Sequence, residues 1–165
     1  MNQTFFKKNR EKFLNQIANN SIAILFSGYR MFRSADSDFP FEVNKNFYYL
    51  TGINQEDTIL VLIKGENTIQ EFLFIEEIDE LFSKWNGEKL SQEQAGKLSG
   101  IDSIRYLKDF SDFVYGIMNN TRYTHYNINQ VYLDLERRNS KHFFSYALNF
   151  AKDLQKTNPE IKIMN

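Results

Sequence analysis

The sequence predicts an α/β layer fold built on a mixed sheet, and three observations predict it. Apolar runs short enough to be buried strands alternate with stretches of helical periodicity. Two of the strand-like runs, residues 58–63 and 71–75, flank Lys64-Gly65-Glu66-Asn67, a turn sequence containing Gly, so this pair should be antiparallel within a mixed sheet. Neither an internal repeat nor a low-complexity tract interrupts the 165 residues, a length ordinary for one domain.

The first helix follows from Phe6, Phe13, Leu14 and Ile17, which share one helical face while Lys7, Lys8, Glu11 and Lys12 fall largely on the others; it should end near Asn19-Asn20. Ile22-Ala23-Ile24-Leu25-Phe26 is short and wholly apolar and suits a buried strand, with Ser27-Gly28 turning the chain out of it. Residues 29–43 carry no period and predict a structured loop in which Pro40 biases Phe39 toward extended geometry. Phe47-Tyr48-Tyr49-Leu50 is aromatic enough for a strand or its edge, and Gly52 can supply a positive-φ exit. After the hairpin, Ser91 with Gln94 three residues on forms a capping-box signature for a short helix that stops at Gly100. Residues 104–107 suit a further strand, and Phe110, Phe113, Val114, Ile117 and Met118 mark an amphipathic helix. Residues 123–133, rich in Tyr, Thr, Ile and Val, predict the last strand. Phe143, Ala147, Phe150 and Leu154 recur at helical spacing and predict a closing helix ended by Asn158-Pro159. Ile161-Lys162-Ile163 then leads onward through polar text that resembles a domain boundary.

Composition narrows the function classes. The chain is 42% hydrophobic and 25% charged, as folded proteins are, and its 20 basic and 21 acidic residues leave a net charge of −1 that provides no field for nucleic acid or an anionic membrane. The basic stretch 7–12 contains Glu11, and Arg137, Arg138 and Lys141 follow Asp134 and Glu136, so both read as solvated faces. With no cysteine, disulfides, thiolate metal sites and a cysteine nucleophile are excluded, and a reducing compartment, the cytoplasm, is expected. No secretory signal follows Lys7, Lys8 and Arg10, and the aliphatic run 59–63 is far too short to span a bilayer. The two histidines, His125 and His142, belong to no H-x-x-x-H or H-E-x-x-H pattern, and neither a G-x-S-x-G elbow nor a glycine-rich phosphate loop is present.

Three segments carry a resemblance. Arg33-Ser34-Ala35-Asp36-Ser37-Asp38-Phe39-Pro40-Phe41, then Asn46-Phe47-Tyr48-Tyr49-Leu50-Thr51-Gly52, then the aliphatic run 57–63 closely resemble, in order and distance, the N-terminal domain of aminopeptidase P, of the creatinase/prolidase/aminopeptidase P superfamily. Trp85-x-Gly87, a Gln-rich helix and Gly100-Ile101 extend the likeness, which fades after residue 120. The resemblance implies a single domain over 1–165 with three α/β/α layers and a mixed sheet of five or six strands, of the creatinase/prolidase N-terminal type with its ribonuclease H-like motif. It implies a parent Xaa-Pro aminopeptidase, which removes the N-terminal residue from peptides with proline second, and whose C-terminal pita-bread domain binds two Mn²⁺ and activates water. In that family the N-terminal domain mediates assembly and sends side chains toward a neighbouring subunit's active site.

The positions matching those trans contacts are Asp36 and Trp85, while Arg33, Ser34, Asp38, Phe47, Tyr49, Leu50, Thr51, Gly52 and Gly87 match the family's structural motif. None of the family's metal-ligand motifs can be placed in 1–165, so the catalytic domain is expected to lie outside this chain, which should bind no catalytic metal and hydrolyse nothing alone. Expected partners are that catalytic domain, further copies in a dimer or tetramer, and proline-containing peptides, with no nucleic acid and no membrane. Arg33 and Asp36 are also close enough in sequence for a bidentate ion pair fixing the loop, which leaves the role of Asp36 open between pairing and substrate contact. A lone tryptophan in a polar stretch suits an interface. Two alternatives stand beside this reading: a free-standing, catalytically inactive peptide- or protein-binding module of the same fold, and the N-terminal domain of a prolidase, which cleaves dipeptides.

Overall fold

Alternation along the apolar runs gives the sheet two buried faces. The computed structural model describes residues 3–78, 89–119, 127–135 and 145–165. Its elements are α1 (Gln3–Gln16), β1 (Ser21–Phe26), β2 (Phe32–Ser34), β3 (Ser37–Asp38), α2 (Lys45–Thr51), β4 (Ile59–Lys64), β5 (Ile69–Ile75), α3 (Gln92–Ser99), β6 (Ser103–Tyr106), a 3₁₀ turn (Leu107–Asp109), α4 (Phe110–Met118), β7 (Gln130–Leu133), α5 (Tyr146–Thr157) and β8 (Lys162–Met164). The main sheet has the order β6-β5-β4-β1-β7-β8, and β2 and β3 pair separately. β4 is antiparallel to β1 and β5, whereas β5–β6, β1–β7 and β7–β8 are parallel. The Gly65 amide closes the β4–β5 turn on the Thr68 carbonyl at 2.8 Å, while the parallel pairs β5–β6 and β7–β8 are reached through crossovers carrying α3 and α5.

Ile22 and Ile24 of β1, Val61 and Ile63 of β4, and Phe72 and Phe74 of β5 face α4 and α5, packing on Phe113, Val114, Ile117 and Leu154. The alternate residues Ala23, Leu25, Leu60, Leu62, Leu73 and Ile75 face α1, α2 and α3, packing on Leu14, Phe47, Leu50 and Ala95. The result is three layers, α/β/α, with a mixed sheet of six strands. β1 and β4 sit mid-sheet with both faces covered, which is why their sequences are apolar at nearly every position.

The sequence reading is corrected at five places. Phe47-Tyr48-Tyr49-Leu50 is helical: Phe47, Leu50 and Thr51 bury at i, i+3 and i+4, Asn44 Oδ1 accepts the Phe47 amide, and Gly52 at φ 71° ends the helix with its N–H on the Tyr48 carbonyl. α1 ends at Gln16, before Asn19-Asn20, and Asn20 turns into β1 at φ 57°. The loop 29–43 contains the β2–β3 hairpin. Residues 162–164 form a sixth strand in register with β7, too short to show a period in sequence, and within 123–133 the strand observed is Gln130–Leu133. Residues 123–126, and Phe143 of the closing helix, lie outside the described residues.

Arg10, which carried no signal beyond its charge, is the polar centre of the α1–α3 layer. It is fully buried. Its Nη1 donates to the Leu50 and Ser99 carbonyls at 2.9 Å each, and Nη2 to the Gly100 carbonyl at 3.4 Å. Nε and Nη2 both reach Glu71 Oε2 at 2.9 Å. One guanidinium thus satisfies the last-turn carbonyls of α2 and α3, where both helix dipoles present negative charge, and ties them to β5. Lys64 does the same for α1, its ammonium donating to the Leu14 and Ile17 carbonyls at 2.7 and 2.9 Å.

Candidate functional site: the projecting hairpin

Strand register brings several connections to one end of the sheet. β1, β5, β6, β7 and β8 finish there and β4 begins there. The chain therefore leaves this end at Ser27 toward the hairpin, at Glu76 after β5, and at Asp134 after β7. Ile75, Glu76, Ile78, Leu90, Ser91 and Tyr106 line a cleft of about 750 Å³ at the same end.

The hairpin pairs Phe32 with Asp38 and Ser34 with Ser37, and Ala35 takes the left-handed conformation at φ 49° that lets Ala35-Asp36 turn the chain. Beside the strand pairing, Phe39 N–H bonds the Met31 carbonyl and Ser37 Oγ the Ser34 carbonyl, each at 2.8 Å. Every position from 31 to 40 is exposed. Phe32 is 69% exposed, Met31 58% and Phe39 47%, so apolar side chains flank a carboxylate at the turn. Arg33 lies over the Phe39 ring, 5.7 Å from its centroid, and makes no ion pair with Asp36. Backbone geometry and Ser37, not an Arg33–Asp36 pair, shape the turn. Asp36 has no hydrogen-bond partner among the described residues.

The root of the hairpin is held far more firmly. Ser27 N–H bonds the Thr58 carbonyl at 2.9 Å, Thr58 N–H returns to Ser27 Oγ at 3.0 Å, and Asp57 N–H reaches the Gly28 carbonyl at 3.0 Å. Arg30 forks onto Glu56 with two bonds of 3.1 Å. Tyr146, in the first turn of α5, donates its hydroxyl proton to Asp57 Oδ1 at 3.0 Å, stacks on Phe26 and meets Tyr29 edge-on with centroids 5.4 Å apart. Burial, then the Asp57 charge, then that hydrogen bond push the Tyr146 phenol up from 10 to about 12. Because the neutral phenol is favoured by folding, this contribution is complete below pH 10 and is lost as pH rises through about 12.

The remaining motif residues divide between core and surface. Phe47, Leu50 and Thr51 are buried, and Thr51 Oγ1 donates to the Phe47 carbonyl and accepts from Ile53 N–H. Tyr49 is half exposed and meets Phe5 edge-on, and Asp38 is exposed opposite Phe32. Trp85, Gly87, His125 and His142 lie outside the described residues, as do Arg137, Arg138 and Lys141. Among the described residues no three His, Asp or Glu side chains converge as a metal ion requires, and no helix is long and apolar enough to cross a membrane.

These features define a three-layer α/β domain on a mixed six-stranded sheet, with an exposed hairpin carrying the Arg-Ser-x-Asp motif. The profile of the family Aminopeptidase P, N-terminal domain, matches residues 6–126, and the chain belongs to that family. It is 30% identical to Xaa-Pro aminopeptidase of Escherichia coli K12 over 69% of this chain and 26% of that one, and 37% identical to Xaa-Pro aminopeptidase 3 of Dictyostelium discoideum over 59% and 19%. Among solved structures, a Bacillus anthracis chain assigned to aminopeptidase P superposes over all of this chain and 38% of its own length, with TM-score 0.93 and 39% identity. Aminopeptidase P from E. coli in its low-pH form shares the fold over 97% of this chain and 34% of its own, with TM-score 0.77 at 24% identity. The chain spans about a quarter or less of the length of these curated relatives.

Proposed function

We propose that this domain serves a Mn²⁺-dependent Xaa-Pro aminopeptidase by assembly and substrate restriction, in a dimer or tetramer whose hydrolytic chemistry is done by a second, metal-binding domain. The observation that carries this reading is the hairpin: ten consecutive exposed positions, apolar on its flanks, with the Asp36 carboxylate at its turn and a rigid root. Exposed apolar side chains around a charged group are the composition of a docking surface. Asp36 anchors a polar end of the peptide or of the neighbouring site, and Trp85, further along the sequence, supplies an apolar wall. Mn²⁺ held by that second domain would supply the Lewis acidity for water activation, and none of the described residues of this chain would hold it. The part assigned to this chain is to orient peptide and exclude water. The absence of cysteine suits a reducing compartment, and we place the protein in the cytoplasm.

In the polypeptide that joins this domain to its catalytic domain, Asp36→Ala and Trp85→Ala should each lower kcat/KM for proline-second peptides at least tenfold, about 1.4 kcal/mol of transition-state stabilisation, with the loss growing with peptide length. Unchanged rate and apparent affinity at every length, for both variants, contradicts the trans contact.

A further inference from the structure

We infer that Tyr146 is a positioning residue for the hairpin: through Asp57 and Tyr29 it fixes the direction in which the Arg-Ser-x-Asp turn is presented. The inference deepens the proposed function and rests on it for its meaning, while its geometry stands alone. Within 31–40 the β2–β3 pairing, the Phe39 N–H to Met31 carbonyl bond and the Ser37 Oγ bond to the Ser34 carbonyl are all internal to the hairpin, and β2 and β3 pair with no strand of the main sheet. Its orientation must therefore come from residues 27–30 and 41–44. Among the described residues of the segment 27–30, Ser27 Oγ accepts the Thr58 amide at 3.0 Å, and beyond it stand an ionic and an aromatic side-chain anchor. Arg30 forks onto Glu56, but Arg30 is 41% exposed and water screens part of that pair. The other anchor is aromatic and partly buried. Tyr29 meets the Tyr146 ring, Tyr146 stacks on Phe26 at the end of β1, and its hydroxyl grips Asp57, whose amide in turn holds the Gly28 carbonyl.

Asp57 sits at φ 50°, a conformation that Asn and Asp adopt more readily than other L residues, and the hydrogen bond from Tyr146 fixes its side chain at the pivot of the hairpin. The partner on α5 is one residue past the Ser145 cap, at the rigid start of the helix, where Ser145 Oγ accepts the Leu148 amide.

Limited trypsin digestion of the 165-residue chain reads this directly, because cleavage after Arg33 requires the hairpin to open locally. Tyr146→Phe, which keeps the ring and removes the hydroxyl, should raise the cleavage rate after Arg33 at least threefold while rates after Lys97 and Lys152 stay within twofold. Asp57→Ala should match it, whereas Asp57→Asn, which still accepts the phenol's hydrogen bond and tolerates φ 50°, should restore the wild-type rate. An unchanged Arg33 rate in Tyr146→Phe, an equal rise at all three sites, or no difference between Asp57→Asn and Asp57→Ala overturns the inference. The digest involves no substrate. If hairpin opening responds as stated while Asp36→Ala and Trp85→Ala leave peptide cleavage unchanged, the functional reading fails and the positioning role survives.

Discussion

Replacing Arg10 with Met will lower the free energy of unfolding by roughly 3–5 kcal/mol, the range for breaking a buried ion pair by removing one partner. Methionine can fill much of the volume, but it leaves the Leu50, Ser99 and Gly100 carbonyls without their donor in a layer that water does not reach. Glu71, whose side chain is 23% exposed, can turn toward solvent, so the carbonyls and not the carboxylate dominate the loss. Arg10→Lys should recover only part of it, because an ammonium cannot serve Glu71 and two helix ends in one plane. Urea denaturation reports both, with the midpoint shifted and the slope retained if the fold is kept. A loss below 1 kcal/mol for Arg10→Met would show that the two helix ends do not depend on the guanidinium.

Gly52→Ala should follow closely, with two separable contributions. At φ 71° an L residue carries left-handed strain of about 1–2 kcal/mol. A Cβ built there would also lie 2.2 Å from the Phe6 ring, which is 4% exposed and boxed by Phe5 and Tyr48, and repacking it should add roughly 1–3 kcal/mol. Gly100 provides the control: it has the same φ of 71°, but its Cβ would meet nothing closer than Gln3 Cβ at 3.4 Å, so Gly100→Ala should show the strain alone. In a Phe6→Leu background the second contribution at Gly52 should shrink, a coupling that a double-mutant cycle measures. Equal losses at Gly52 and Gly100 would refute the role of Phe6.

The core was legible because burial on both sheet faces writes itself into composition: the runs at β1, β4 and β5 and the helical spacing of Phe110, Phe113, Val114 and Ile117 left few options. Ser91 and Gln94 predicted a capping box, and both of its bonds are present. The aromatic run before Gly52 misled because Phe and Tyr favour strands, whereas the deciding groups were the Asn44 cap and the burial of Phe47, Leu50 and Thr51 on one helical face. β8 left no trace because three residues cannot show a period. Arg10 was hidden for a different reason. A charge on an amphipathic helix normally faces water, and only the convergence of two helix ends from distant sequence makes its burial favourable. At the site, the Arg-Ser-x-Asp motif located the hairpin, but Tyr146 and Asp57 are 89 residues apart and join only through the fold.

The proposed division between positioning and hydrolysis is tested most directly by incubating the purified 165-residue chain with a proline-second tripeptide, with and without Mn²⁺, beside a polypeptide that joins it to the proposed catalytic domain. The joined polypeptide should turn over at a typical enzymatic rate of about 1–1000 per second, and the chain alone should release no N-terminal residue above the buffer rate. Release by the chain alone at an enzymatic rate would contradict the assignment of hydrolysis to the second domain.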